Sequence, residues 1–347
     1  MLVRFQLAGP PAYRTADAIV APDVGKEFNR KEMVGDRMKR KPDYWKILWR
    51  DVKAQKYLML LVWPAIIWLF VFWYAPLFGI VIAFENYNVG LGILHSPLVG
   101  FKNFIELFND KLFFNALRNT LMYSFLNLIV GFPVPIIFAL MLSELGGMKN
   151  FKRVTQTISY MPYFLSWAFV ASFLVSFLSG NGLFNQILIM LGLRSDGYAF
   201  MANPGSFIVV ILLSGIWKGF GYSSIIYLAA MSSVSMEMYE AALIDGASRW
   251  QKIWYVTLPS IKPTIVVLLI LTISTMINSN FEQFFLLSNP LVTEVARVID
   301  VYTYNIGFEK GRFSYGTAVG LFKSVVSLLL LFTANYVSRR VADESIF

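Results

Sequence analysis

Cysteine is absent from this chain of 347 residues, and His95 is its only histidine. Neither disulfides nor thiolate metal sites are therefore available, and zinc chemistry has little scope. Charge is also scarce: charged residues make up 15% of the chain, whereas apolar residues make up 57%. A soluble domain of this length normally carries more charge and fewer apolar residues. The composition therefore indicates a membrane protein.

Motifs for catalysis are also missing. The sequence contains no G-x-x-x-x-G-K-[ST] phosphate loop, so it has no nucleotide-hydrolysing motif of its own. No metal cluster and no nucleophile–base set is visible, which argues against a membrane enzyme. Asp300, Glu309 and His95 are scattered over predicted outer loops, where we expect them to be solvated. An ion channel would need a filter or a ring of charges, and the sequence shows neither.

Six apolar runs are long enough to cross a bilayer as helices, which takes about 20 residues each. They cover residues 57–84, 117–142, 154–178, 206–230, 264–287 and 316–337. We therefore expect an all-α polytopic membrane protein, with a transmembrane domain over residues 57–340. Prolines interrupt several spans and predict kinks there, at Pro64, Pro76, Pro133, Pro135 and Pro162. The apolar run at residues 181–193 is too short to span and is predicted to be an interfacial or re-entrant helix.

Lysine and arginine are distributed unequally between the two sides of these spans. One side, with both termini and residues 144–153 and 231–263, carries 21 of them, and the other side carries seven. The positive-inside rule then places both termini in the cytoplasm. The net charge of +9 thus reflects topology, and we expect no nucleic-acid partner.

The amino-terminal arm, residues 1–56, is predicted to be cytoplasmic and to contain a basic amphipathic helix at the membrane surface. Tyr44, Trp45, Leu48 and Trp49 would share the apolar face of that helix.

A charged insert between the fourth and fifth spans has a recognisable local structure. Ser235 is predicted to cap a helix that ends at Ile244, and Gly246 then supplies a chain break. A second helix is predicted to start at Ser248 with Gln251 completing a capping box, and to end at Leu258-Pro259. A flexible loop would have sufficed to join two spans, because closure entropy rises slowly with length. The insert, residues 235–259, is therefore interpreted as a docking element.

The same insert carries a long motif: Glu240-Ala241-Ala242, Gly246 four positions later, then Val256 and Leu258-Pro259. It resembles the EAA signature of ABC importer permeases, with valine in place of the usual isoleucine. The resemblance implies a type I importer fold in which a coupling helix binds an ATPase subunit. The coupling residues it implies are Glu240, Ala241, Ala242, Asp245, Gly246, Leu258 and Pro259. Stabilisation of the helix dipole remains an alternative role for Glu240.

The resemblance extends over most of the chain from about Lys56, through stretches such as "TQTISYMPYFLSW" and "IWKGFGYSSIIYLAAM". They are similar to the LplB-like branch of maltose-type permeases, which imports complex oligosaccharides, some containing uronates as alginate does. This similarity implies a second permease subunit, two ATPase subunits that bind ATP and Mg²⁺, and an extracytoplasmic solute-binding protein that delivers the sugar. It also implies a bacterial inner or plasma membrane.

Polar side chains at membrane depth are costly, so they are candidates for the substrate path. They are Asn127, Lys218, Asn278, Asn280, Glu282, Gln283 and Lys323. Asn278 and Glu282 would share a helical face, where an amide and a carboxylate can bind hydroxyls. Glu282 and Lys323 lie at similar depth and are predicted to pair, either to hold two helices together or to bind sugar.

Lys218 lies near the midplane, flanked in sequence by Trp217, Phe220 and Tyr222. It either binds a carboxylate or hydroxyl of the sugar beside an aromatic platform, or it reaches water or a helix carbonyl.

An ion-coupled secondary sugar transporter is the alternative function. Such a protein would use Glu282 and Lys323 as a coupling pair, but it would have no use for a capped helix pair outside the membrane.

Overall fold

The computed structural model describes residues 55–341, together with Trp49 and Val52. Most of the predicted amphipathic helix of the arm, including Tyr44, Trp45 and Leu48, lies outside the described residues. The chain divides into two units, residues 1–73 and 74–347. In the first unit, helix α1 (Lys56–Leu69) contains Pro64.

The second unit is built from helices joined by short connections. In chain order these are α2 (Lys102–Asn109), α3 (Lys111–Leu126), α4 (Pro133–Ser143), α5 (Lys149–Tyr160), α6 (Trp167–Phe177), α7 (Leu183–Met190), α8 (Pro204–Ser232), α9 (Met236–Ile244), α10 (Arg249–Lys252), α11 (Leu258–Ser274), α12 (Phe281–Leu287), α13 (Thr293–Ala296), α14 (Ile299–Tyr304) and α15 (Phe313–Val341). Short π or 3₁₀ segments join several of them, among them Asn127–Gly131 and Ile253–Thr257. The expected all-α class is confirmed for the described residues.

Five helical runs are long and apolar enough to cross a membrane, and a bent pair makes up to six. The five are Lys56–Phe84, Lys111–Ser143, Pro204–Ser232, Arg249–Ser274 and Phe313–Arg340. The bent pair consists of Lys149–Phe164 and Trp167–Phe177, which meet at an angle of 96°.

The predicted third span, residues 154–178, is therefore not one straight helix. The chain turns at residues 165–166, just after Pro162, which lacks an amide hydrogen to continue the helix. Ser166 then starts α6, because its side chain accepts a hydrogen bond from the Phe169 amide. A proline and a capping serine four residues apart thus convert an apolar run into two helices.

The predicted fifth span, residues 264–287, is wrong in its outer half. Helix α11 ends at Ser274, residues 275–280 are irregular, and α12 begins at Phe281. The hydroxyls of Ser274 and Thr275 bond to carbonyls within α11, and Asn280 caps α12 by accepting from the Gln283 amide. Short polar side chains that bond to nearby backbone compete with helix continuation, which explains the break.

Three buried apolar clusters hold the second unit together. One joins α4, α8 and α11 around Ala139, Tyr227 and Ile261. The other two pack α3, α12, α14 and α15 around residues such as Phe284 and Tyr302, and one of them includes Phe207 and Ile211 from the first half of α8. Helix α11 packs against both α8 and α15.

Helices α5 and α8 approach so closely at Gly221 that a Cβ atom there would overlap the carbonyl oxygen of Ser159. We expect Gly221→Ala to force the two backbones apart and to destabilise the fold by about 1–3 kcal/mol, the usual cost of overpacking. Thermal unfolding in detergent should show a lower melting temperature. Gly219→Ala is the matched control, because its Cβ would meet no atom within 4 Å. Equal melting temperatures for the two variants would contradict the close approach.

Asp110, which caps α3, links three helices at one end of the unit. Its carboxylate accepts hydrogen bonds from the hydroxyls of Tyr302 (2.5 Å) and Tyr315 (3.2 Å) and from the Leu112 amide (2.7 Å). Burial by itself would raise the pKa of Asp110, but these hydrogen bonds outweigh it and the pKa lies below its ordinary value. The contribution of Asp110 to stability is therefore present above the ordinary carboxyl pKa and is lost as the pH falls through the lowered one.

Candidate functional site

The insert forms the two capped helices that the sequence predicts. The side chain of Ser235 accepts from the Glu237 amide at the start of α9. Gly246 ends α9 with φ +75°, and the amides of Gly246 and Ala247 bond back to the carbonyls of Leu243 and Ala242. This pattern is a Schellman motif, which requires the left-handed conformation that glycine adopts without a Cβ clash.

The second helix of the insert also begins as predicted. Ser248 and Gln251 form a capping box, with the Ser248 amide donating to the Gln251 side chain at 2.8 Å. Its predicted end at Leu258-Pro259 is wrong, because α10 continues through the π-helical Ile253–Thr257 into α11. Pro259 lies in the first turn of α11, where a missing amide hydrogen has little cost. One continuous helical run therefore extends from Arg249 to Ser274.

Helix α9 contacts its neighbour through one hydroxyl pair and leaves its apolar side chains uncovered. The Tyr239 hydroxyl lies 3.0 Å from the Thr257 hydroxyl, which ties α9 to the π-helical segment below it. None of the residues of α9 is buried, and Ile244 is 86% exposed. Of the implied coupling residues, Glu240, Ala241, Asp245 and Gly246 are also exposed. A capped helix with uncovered apolar side chains has the properties of a docking surface.

Several predicted substrate-path residues meet at a cavity of about 250 Å³. Asn127 lines it from the π-helical segment after α3, and Asn278 and Asn280 line it from the break between α11 and α12. A neighbouring cavity of about 330 Å³ shares Asn127 with the first. Breaks in two membrane helices thus bring three amide side chains together.

The cavity wall contains both satisfied and unsatisfied polar groups. Gln283 is buried, and its side-chain nitrogen donates to the Ile211 carbonyl (2.7 Å) and the Ser214 hydroxyl (3.0 Å). Gln283 therefore supports the wall by joining α12 to α8. Tyr123 also lines the cavity, and its buried hydroxyl has no hydrogen-bond partner among residues 55–341. A buried polar atom without a partner is costly, so a ligand hydroxyl or water is expected there.

Two expected geometries are not found. Asn278 and Glu282 do not share a helical face, because Asn278 lies in the irregular segment before α12. The predicted Glu282–Lys323 pair is also wrong: Lys323 binds Asp300, and Glu282 is exposed. Asp300 belongs to α14 and is not the solvated loop residue that the sequence suggested. Its position within the apolar run "VIDVYTY" indicates a packed helix, and this pattern is the sequence signal that Asp300 is not solvated.

Lys218 binds backbone carbonyls at the bend between α5 and α6. Its ammonium group donates to the carbonyl of Tyr163 at 2.7 Å and approaches that of Pro162 at 3.4 Å. It also lies 5.5 Å and 5.6 Å from the ring centroids of Tyr163 and Trp167. This geometry favours the role in which Lys218 binds helix carbonyls over the role in which it binds a carboxylate or hydroxyl of the sugar. Lys218 lines neither cavity.

Within the described part of the chain, no group of three or more histidine, aspartate or glutamate side chains is arranged to hold a metal ion.

Comparisons with known proteins agree with the motif. Residues 107–343 match the family described as "Binding-protein-dependent transport system inner membrane component". The chain is 41% identical to Protein LplB of Bacillus subtilis over 297 residues, which cover 85% of this chain and 92% of that protein. It is 44% identical to the polygalacturonan/rhamnogalacturonan transport system permease protein YteP of the same organism, over 84% of this chain and 91% of that protein.

A solved structure is similar over nearly its whole length. It is a chain of a bacterial alginate ABC transporter in complex with an alginate pentasaccharide-bound periplasmic protein, with a TM-score of 0.78 and 39% identity. The match covers 86% of this chain and 99% of that one. The resemblance inferred from the EAA signature is thus confirmed, and so is the conclusion that the chain is a transport component and not an enzyme. This chain belongs to the family of inner-membrane permease components of binding-protein-dependent ABC importers.

Proposed function

We propose that this chain, paired with a second permease subunit, carries an acidic oligosaccharide across the membrane after an extracytoplasmic binding protein has delivered it. The observation that carries this proposal is the polar cavity at the helix breaks, where Asn127, Asn278 and Asn280 meet. Amide side chains offer both donors and acceptors, as the hydroxyls of a sugar require. The acidic character of the proposed substrate is supported by the relatives. One is named for polygalacturonan, and another belongs to a transporter of alginate, an acidic polysaccharide.

The energy for transport comes, in this proposal, from two partner ATPase subunits that bind ATP and Mg²⁺ and seat α9. The exposed apolar surface of α9 and the EAA signature support that role for Glu240, Ala241, Ala242, Asp245 and Gly246. Leu258 and Pro259 begin the long helix that leaves the insert. The excess of lysine and arginine on the side of the insert supports a cytoplasmic location for it and for both termini.

One continuous helical run connects the insert that contains α9 to the cavity. The helical run Arg249–Ser274 starts at the insert and ends at the break that carries Asn278 and Asn280. At 1.5 Å per residue it spans about 39 Å, enough to cross the hydrocarbon core. This run gives a movement of α9 a direct path to the cavity wall, which fits a switch between two packed arrangements.

The rival function, an ion-coupled secondary transporter, depended on a Glu282–Lys323 pair that the structure does not contain.

The proposal is tested by uptake of a labelled uronate pentasaccharide into proteoliposomes that hold both permeases and the ATPase subunits, with binding protein outside. We expect uptake that requires ATP and survives collapse of ion gradients. Asn127→Ala and Asn278→Ala should each reduce uptake about threefold to tenfold, because each removes hydrogen bonds worth about 1 kcal/mol.

Asn109→Ala is the matched control, since Asn109 is an exposed amide that bonds within α2, away from the cavity. Uptake that persists without ATP would contradict the proposal. Equal uptake by the cavity variants and the control would remove the cavity from the substrate path.

A further inference from the structure

The carboxylate of Asp300 divides its two oxygens between two different partners. Oδ1 accepts from the ammonium group of Lys323 on α15. Oδ2 accepts from both the backbone amide and the hydroxyl of Ser279, each at 2.7 Å. Ser279 lies between Asn278 and Asn280 in the irregular segment that lines the cavity. Asp300 thus connects a membrane helix to the predicted sugar-contacting residues.

The Ser279 hydrogen bonds replace those that a helix would have made. Residues 278–280 are outside any helix, so the amide of Ser279 needs a partner other than a helix carbonyl. Ser279 lines the cavity together with Asn278 and Asn280, so its two hydrogen bonds to Asp300 fix the middle residue of this cavity segment and, through the backbone, the positions of the two asparagines beside it.

Burial distinguishes this ion pair from an ordinary surface pair. The side chains of Lys323 and Asp300 are 15% and 20% exposed, whereas those of Arg312 and Glu106, which also pair, are 42% and 46% exposed. Breaking a largely buried pair by removing one partner is costly, because it leaves an uncompensated charge. Lys323 thus holds Oδ1 and orients the Asp300 side chain, so that Oδ2 remains available to Ser279.

We propose that Asp300, held by Lys323, is a positioning residue for substrate: it fixes residues 278–280 so that their amides face the transported oligosaccharide. The inference rests on the proposed function, because it assigns these amides to sugar binding. Neither Asp300 nor Lys323 lines the cavity, so both act through Ser279. A simple helix-joining ion pair would need only opposite charges, whereas a positioning group at residue 300 must also accept hydrogen bonds from Ser279.

Two double variants separate a positioning role of Asp300 from a simple ion pair. The double variant Asp300→Lys with Lys323→Asp preserves opposite charges but removes the acceptor from residue 300. The double variant Asp300→Asn with Lys323→Met removes both charges but keeps an amide oxygen that can accept from Ser279. Both are assayed in the complete transporter for pentasaccharide uptake and for ATP hydrolysis stimulated by loaded binding protein.

We expect the charge-swapped variant to lose uptake about tenfold or more, the effect of two lost hydrogen bonds, while stimulated ATP hydrolysis stays within about twofold of wild type. The neutral variant should keep uptake within about threefold of wild type. The matched control is Glu106→Arg with Arg312→Glu, a charge swap in the exposed pair, which should transport like wild type.

Near-normal uptake by the charge-swapped variant would overturn the inference, because an ion pair alone would then suffice. A parallel loss of uptake and ATP hydrolysis would also overturn it, since that result indicates a structural role. An equal loss of uptake in the neutral variant would also overturn the inference, because that variant keeps an acceptor for Ser279. If wild type itself takes up no pentasaccharide, the proposed function fails and this inference with it; if wild type transports, the variants decide the inference alone.

Discussion

Replacement of Gly246 by Asp is expected to abolish coupled transport while leaving the chain folded in the membrane. Gly246 has φ +75°, a conformation that costs a residue with a Cβ about 1–2 kcal/mol. Apart from its chain neighbours, no atom of the described chain lies within 4 Å of a Cβ built there, so a Cβ clashes with no packed element. The new side chain instead projects from the turn that ends α9, beside Asp245, at the proposed contact with the ATPase subunit.

Gly246→Asp should uncouple ATP hydrolysis from sugar uptake. We expect uptake to fall at least about tenfold, the equivalent of 1.4 kcal/mol, while membrane insertion and basal ATP hydrolysis continue. Uptake and ATP hydrolysis measured on the same proteoliposomes check this. The control is Gly192→Asp, because Gly192 ends α7 with φ +70°, the same Schellman hydrogen bonds and the same open surroundings.

Backbone strain is therefore matched between the two variants, and only the location differs. Normal uptake by Gly246→Asp would refute the coupling role of this turn. Equal loss in both variants would trace the effect to strain and not to docking.

Replacement of Ile244 by Asp is expected to release the ATPase subunits from the permease. Ile244 is 86% exposed at the end of a helix with no buried residue, so the chain's own packing does not depend on it. Burial of such a side chain in a partner's groove would contribute about 1.5–3 kcal/mol, or roughly a tenfold to hundredfold change in affinity. A charge in the same groove adds a desolvation cost.

Co-purification of the ATPase subunits with the tagged permease measures this effect. Leu94→Asp is the matched control, because Leu94 is 91% exposed in the connection before α2, on the side predicted to face away from the cytoplasm. A complex of wild-type stoichiometry with Ile244→Asp would show that α9 is not the docking helix.

The insert shows how far local sequence signals reach. Ser235, Gly246 and the Ser248–Gln251 box form the caps that their spacing predicts. Each of these interactions joins groups within five residues of one another, so no distant part of the chain is needed to specify it. Apolar runs likewise located four of the candidate membrane spans, the first, second, fourth and sixth, because a bilayer demands length and hydrophobicity alone.

The substrate path was predicted less well, since its geometry depends on contacts between distant residues. The polarity of Asn127, Asn278 and Asn280 identifies them as candidates. The break between α11 and α12, which brings the last two to the cavity, is not apparent in the sequence, where residues 264–287 read as one apolar span. Lys323 was paired with the wrong carboxylate, because similar depth in the membrane does not determine which helices are neighbours. The roles of these residues in transport remain predictions that the variants above test.

The sequence by itself determined the membrane class, the apolar segments, the capped helix pair and the family, because these follow from composition, short-range hydrogen bonding and a long motif. Only the tertiary structure decided where the helices break, that Lys218 binds the bend after Pro162, and that Asp300 joins Lys323 to Ser279. For Lys218 and Asp300 the partners lie 21 or more residues away along the chain, and packing of the helices selects them from several chemically equivalent groups.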